Sequence, residues 1–194
     1  IVKYDEDGNL LWQKSWGGND IDVLLDNNMI QTHDGGFVLY GSSASTDIDG
    51  LPNKGSYDAV IVKYDEDGNL LWQKSWGGTG SDGFTSMSQI EDDCFITYFE
   101  SFSSNIEDLP SGGALVKIDK NGNVLFAKKI KMDQTPFSWD SIIKQSSNGD
   151  FIMSGCIYEN DDDFCKDYHS AHLSKIDKDG NEIFVTHIIH IVIM

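Results

Sequence analysis

Apolar and polar positions alternate in short blocks, best seen in Ala59 to Tyr64 (AVIVKY), Asp65-Glu66-Asp67-Gly68-Asn69 and Leu70 to Trp76 (LLWQKSW). Two apolar runs joined by Asp-Gly-Asn predict a β-hairpin, because Gly or Asn accepts the positive φ that such a turn requires. The block is repeated. Residues Ile1 to Gly18 return unchanged as Ile61 to Gly78, and weaker copies follow at Ala114 to Ile130 and His172 to Ile188. A unit that recurs every 50 to 60 residues predicts a repeat architecture.

Each unit reads as four strands. Unit one, 17–76, offers Val23 to Thr32, Phe37 to Ser42, Ala59 to Tyr64 and Leu70 to Trp76, with a turn at Asp34-Gly35-Gly36 and a long polar loop from Ser43 to Asp58. Units 77–130 and 131–189 repeat the order, 1–16 supplies the last two strands of a partial unit, and 190–194 forms a tail. Phe37, Phe95 and Phe151 align without gaps, as do Gln31, Gln89 and Gln145.

In the third strand Val60, Val62 and Tyr64 point one way, Ala59 and Ile61 the other. Both faces are apolar, so both must be covered. The nearest candidate for a covering helix, Ser138 to Gln145, is short, so other sheets must do the covering. The expected fold is all-β: a β-propeller segment of four-stranded antiparallel blades, about three and a half of them. An antiparallel solenoid or a β-sandwich is the alternative. Propellers have about four to eight blades, so further blades of the same chain are expected as partners on either side, or else two copies that close on each other. Ile1 matches Ile61, which lies inside an apolar run, and this predicts a piece of a longer protein.

Composition narrows the function classes. Asp and Glu number 32 against 14 basic residues, all Lys, for a net charge of −18. Nucleic acid is excluded as a partner, since its binding requires neutralised phosphates and leans on Arg. The acidity suits a solvated surface or cation binding. Cys94, Cys156 and Cys165 are too few and odd in number for a disulfide framework, and they leave the compartment open. The last apolar run, Ile188 to Met194, is far short of the roughly 20 residues of a membrane span.

Asp65-x-x-Gly68-x-x-x-Trp72 resembles the tryptophan-docking repeat of quinoprotein-type propellers, with one residue fewer between Asp and Gly. The wider pattern, Gln31-Thr32-x-Asp34-Gly35-Gly36-Phe37, then Asp58 to Asp65, then Gly68 to Trp72, is similar to repeats of bacterial secreted or envelope-attached β-propeller proteins. The resemblance implies a secreted or cell-envelope location. It also implies that Trp12, Trp16, Trp72 and Trp76, with Phe126 and Phe184 at the later docking positions, are structural plugs between blades. The quinoprotein enzymology does not carry over, because the chain has neither a vicinal cysteine pair nor any Arg.

Two metal readings stand beside structural ones. The turns share D-x-[DN]-G-N, and Asp5, Asp7, Asp65, Asp67, Asp119, Asn121, Asp177 and Asp179 are candidate Ca2+ ligands. Turn chemistry explains the same residues without a metal. Cys156, Cys165, His169 and His172 are candidate Zn2+ ligands, at a spacing that matches no common zinc module. No nucleophile stands in an elbow context such as G-x-S-x-G, and no catalytic residue is assigned. The expected function is a non-catalytic scaffold or binding module without a cofactor, Ca2+ apart, whose partner is a protein or a glycan. The alternative is an accessory or catalytic domain acting on extracellular carbohydrate or another polymer.

Overall fold

The computed structural model describes residues 1–24, 28–130, 142–158 and 169–189, except for the side chains of 156–158, 169–172 and 187–189. It is all-β. Strands β1 (Val2–Tyr4) and β2 (Leu10–Gln13) form a first, two-stranded sheet. The second sheet holds β3 (Asp22–Val23), β4 (Met29–Gln31), β5 (Phe37–Ser43), β6 (Asp58–Tyr64) and β7 (Leu70–Trp76). The third holds β8 (Asp82–Gln89), β9 (Phe95–Ser101), β10 (Ala114–Ile118) and β11 (Val124–Lys129). The fourth holds β12 (Ile142–Gln145), β13 (Phe151–Tyr158), β14 (His169–Ile176) and β15 (Glu182–Ile189). Within these sheets the strands pair antiparallel with partners close by in sequence, and no α-helix occurs among the described residues.

One expectation is corrected. Val23 to Thr32 is not one strand. Val23 pairs with Ser42 and Met29 with Leu39, so the two pairings are three residues out of register and the strand is broken in two. Within Ser138 to Gln145, the described part, Ile142 to Gln145, is a strand paired with β13, in keeping with its two adjacent β-branched residues.

The sheets pack face to face, and strand alternation sets which residue meets which neighbour. Phe37, Leu39, Val62 and Tyr64 of the second sheet pack back toward Ile1 and Trp16, which flank the strands of the first, and Phe37 stacks on Trp12 of that sheet. Its opposite face, Val38, Tyr40, Ala59, Ile61 and Trp76, packs forward onto Phe84, Phe95, Phe99, Val116 and Ile118 of the third. The third sheet in turn packs Ile96, Tyr98 and Leu115 onto Ile143, Phe151, Met153 and Ile176 of the fourth. Ala59, Ile61, Val60 and Val62 are each at most 1% exposed, as two covered faces require. The outer strands are less fully covered. Leu70, Leu71 and Leu125 lie on the rim and are about half exposed.

The duplicated block is its own control. Val62 and Tyr64 are 0% and 4% exposed, whereas Val2 and Tyr4, in identical sequence, are 48% and 59% exposed. Only the second copy has a sheet against that face. Local sequence builds the hairpin, and the neighbouring sheet buries it.

Candidate functional site

Each interior interface is tied by an aromatic side chain of an outer strand seated on the Asp-Gly-Asn turn of the following sheet. A Cβ on Gly68 would fall 3.1 Å from the Trp12 ring, one on Gly122 would fall 3.1 Å from Trp72, and one on Gly180 would fall 3.0 Å from Phe126. These glycines have φ of +75°, +80° and +84°, so the turn needs glycine for its backbone and the ring needs it for space. Trp72 Nε1 also donates to the Lys120 carbonyl at 3.0 Å. Trp12 stacks on Phe37, with ring centroids 5.6 Å apart. The exchange of Trp for Phe126 keeps the contact, because a flat ring is what it requires. Trp76 is buried against Phe84, while Trp16 donates from Nε1 to Gln73 at 2.8 Å. Phe184 is 45% exposed, at the far end of the stack.

The turn acids have their oxygens engaged. Asp5 Oδ1 accepts the backbone N–H groups of Asp7 and Asn9, and Oδ2 accepts the Asn9 side-chain amide. Asp65, Asp119 and Asp177 repeat this set with Asn69, Asn123 and Asn181. The Asn side chains above all hold the Asp5 and Asp65 carboxyls below the usual range. Among the described residues no group of three or more His, Cys, Asp or Glu is placed to hold a metal ion. Of the zinc candidates, Cys165 and the side chains of Cys156, His169 and His172 lie outside the described residues. Cys94 is a buried free thiol, pushed up foremost by burial, which makes it a poor nucleophile. His33 lies on an exposed turn, 3.3 Å from Asp93 of the next sheet.

Three further repeated ties were visible in the sequence only as unexplained identities. Gln89 accepts the His33 N–H at 2.8 Å, and Gln145 accepts the Glu91 N–H at 3.3 Å, so the aligned glutamines reach back to the preceding sheet. Lys63, 3% exposed, donates to both Asp34 oxygens at 2.7 and 2.9 Å and to the Thr32 hydroxyl. Lys175, the counterpart of Lys63, pairs at 2.9 Å with Asp150, which stands where Gly36 stands in the second sheet, because the position of Asp34 is Asn148 there. Burial pushes the Asp34 carboxyl up, but the bonds from Lys63, Thr32 and the Gly36 N–H outweigh it and hold the pKa at about 2.

The third tie is a buried polar knot at the start of the inner strands. Asp22 and Asp82 accept the N–H of Gly18 and Gly78, each at 2.9 Å. Ser43 and Ser45 bond to Asp22, and Ser103 bonds to Asp82 at 2.7 Å. Asp47 and Asn105 accept the N–H of Asn19 and Thr79. The spacing Ser-x-Ser-x-[Asp/Asn], at 43–47 and 101–105, was the sequence signal for this knot.

The knot of the third sheet opens on a cavity of about 480 Å3, lined by Val23, Ser42, Tyr57, Asp82, Thr85 and Phe102 among others. Asp82 is 3% exposed, and its Oδ1 has no hydrogen-bond partner, nor does Thr85 Oγ1. Phe102 stands at the mouth, 68% exposed. Asp58, 2% exposed, also has an unpartnered Oδ1. Burial foremost, and after it the charge of Asp82, push its carboxyl up against the lowering effect of the Lys54 N–H. An aromatic face beside unpartnered oxygens suits a ligand that has an apolar side and hydroxyl donors. No family model matches the chain, and no curated protein matches it.

Proposed function

We propose that the chain is a β-propeller-type repeat segment, related to bacterial secreted or cell-envelope repeat proteins, that serves as a non-catalytic scaffold or binding module. The observation that carries this reading is that the repeated residues are spent on stacking sheets. The docked rings, the turn acids, the reaching glutamines, the Lys63–Asp34 pair and the serine knots all join strand to strand or sheet to sheet. Catalysis concentrates unusual residues at one place, whereas here the chemistry-bearing side chains recur with the period of the fold.

The binding surface we assign is the cavity beside Phe102, and its ligand class is a glycan or another hydroxyl-rich group. The second reading, an accessory or catalytic domain acting on extracellular carbohydrate, draws on the same place, since Glu100 and Asp82 lie with Phe102 around one opening. A glycan array combined with a broad hydrolase screen separates the two. Binding without turnover, lost in Phe102→Ala, supports the module. Reproducible turnover lost in Glu100→Gln establishes the second reading, and neither binding nor turnover removes the assigned surface.

A further inference from the structure

The same polar knot is closed in the second sheet and open in the third. Asp22 has both oxygens engaged: Oδ1 accepts the Ser43 hydroxyl, and Oδ2 accepts the Gly18 N–H and the Ser45 hydroxyl. Asp82, at the same place, uses Oδ2 for the Gly78 N–H and the Ser103 hydroxyl, whereas Ser101, the counterpart of Ser43, turns its hydroxyl to the Ser103 carbonyl. Oδ1 is thereby left without a partner in a residue 3% exposed, and it is the oxygen that Asp82 offers to the cavity it lines. β8 adds a second unpartnered oxygen there. Between the pairs Phe84–Phe99 and Ser86–Tyr98 it carries one extra residue, Thr85, and such a bulge aims a side chain out of the ladder. Thr85 Oγ1 is buried without a partner in a residue that lines the same cavity. Gly83, opposite Glu100 in the ladder, keeps the space open, since a Cβ there would meet only Ser42, at 3.7 Å.

Charge decides what the cavity takes. A carboxylate out of water is costly unless a cation accompanies it, and in the Lys63–Asp34 pair the chain meets that requirement itself. Among the described residues that line the cavity none is Lys or His, and Glu100 brings a second carboxylate. Asp58, which burial foremost and then the charge of Asp82 push up, is a further acid close by. A neutral hydroxyl would give Oδ1 a hydrogen bond but leave the charge uncompensated, whereas an ammonium does both. Phe102 favours the same group, since the face of its ring attracts a cation as well as the apolar side of a sugar. A volume of about 480 Å3 is that of a small-molecule site, far more than a bare metal ion fills.

We propose that the cavity binds an amino sugar, its ammonium on Asp82 beside Glu100 and its ring against Phe102. This rests on the glycan reading of the same cavity and narrows it to glycans with free amino groups. The net charge of −18 draws such a ligand from solution.

Isothermal titration calorimetry of the 194-residue chain compares the β-linked glucosamine disaccharide with its N-acetylated counterpart, which lacks the charge. At about pH 6 the amine is protonated and ordinary carboxylates are ionised, and about 0.15 M salt screens attraction to the surface at large. The glucosamine disaccharide is expected to bind at least roughly tenfold tighter. Asp82→Asn, with the fold verified by circular dichroism, cancels the preference and still binds the N-acetylated form. Gly83→Val fills the cavity without changing any charge and weakens binding of both sugars at least roughly tenfold. Glu6→Gln removes one charge from an exposed turn and leaves the preference as it was. Equal affinity for the two sugars overturns the inference and leaves the glycan reading standing. A preference that survives Asp82→Asn or Gly83→Val overturns it too, since the surface charge then carries it. When neither sugar binds, the inference falls, and binding of other glycans on the array decides the glycan reading separately.

Discussion

The Lys63–Asp34 pair makes an asymmetric prediction. The ammonium is buried, at 4% side-chain exposure, while the Asp34 side chain is 59% exposed. Asp34→Ala therefore strands a charge that has lost both carboxylate bonds, and breaking a pair in this way costs about 3 kcal/mol, the low end for a buried partner. Lys63→Met removes the buried charge itself and leaves Asp34 with water, Thr32 and the Gly36 N–H, at a cost below about 1 kcal/mol. In the Asp34→Ala background, Lys63→Met becomes stabilising. Urea unfolding at pH 7 measures all three, and with each kcal/mol worth about 2–4 °C in a chain of this size, Asp34→Ala melts roughly 6–12 °C lower. The pair also sets a pH dependence. The Asp34 carboxyl is held at about 2 in the fold against 3.8 in the unfolded chain, so its contribution is complete above pH 4 and is lost as pH falls toward 2. That shift corresponds to about 2.4 kcal/mol before solvent screening, and to about 1 kcal/mol for a side chain this exposed. Lys63→Met flattens this part of the stability curve. If Lys63→Met costs as much as Asp34→Ala, or fails to rescue it, the reasoning is refuted.

Other outcomes follow from the same contacts. Trp72→Ala removes a ring and its bond to Lys120, and it lowers stability by about 3 kcal/mol in urea titration; Trp72→Phe, by analogy with Phe126, retains most of it. Because the fold raises the Asp58 carboxyl, its charge costs stability above that pKa and the cost fades as pH falls. Asp58→Asn therefore raises the urea midpoint at pH 7, with a gain that shrinks toward pH 4; a gain of equal size at both pH values would contradict the cause assigned. With the turn acids already engaged by their own N–H groups, millimolar Ca2+ leaves the melting temperature unchanged, and a rise would return those turns to consideration as ion sites.

Much of the sheet order was legible because the hairpins are encoded locally. In unit one β7 is the strand read from the sequence, and the Asp65 to Asn69 turn sits where Asp-Gly-Asn placed it. What joins the sheets was less legible. Gln89, Lys63 and Ser103 look like solvated polar residues in a strand pattern, and only a neighbour far away in sequence turns them into ties. The alignment of the glutamines and the recurrence of Lys before each turn Asp carried the signal without its meaning. The inner strand of the second sheet failed as a prediction because its two pairings with β5 differ in register by three residues, which periodicity does not reveal. The cavity beside Phe102 was not legible at all. Its walls come from Val23, Tyr57, Thr85 and Phe102, which share no motif.

The central claim is that repeated aromatic rings dock on repeated turn glycines to hold the sheets together, and the duplicated block allows a direct test. Gly8 and Gly68 have the same neighbours in sequence and φ of +81° and +75°, but only Gly68 carries a ring against it. Gly8→Ala should cost only the backbone strain of a positive φ, about 1 kcal/mol. Gly68→Ala adds overpacking against Trp12 and should cost about 1–3 kcal/mol more by urea unfolding. Equal costs at the two positions would contradict the docking account.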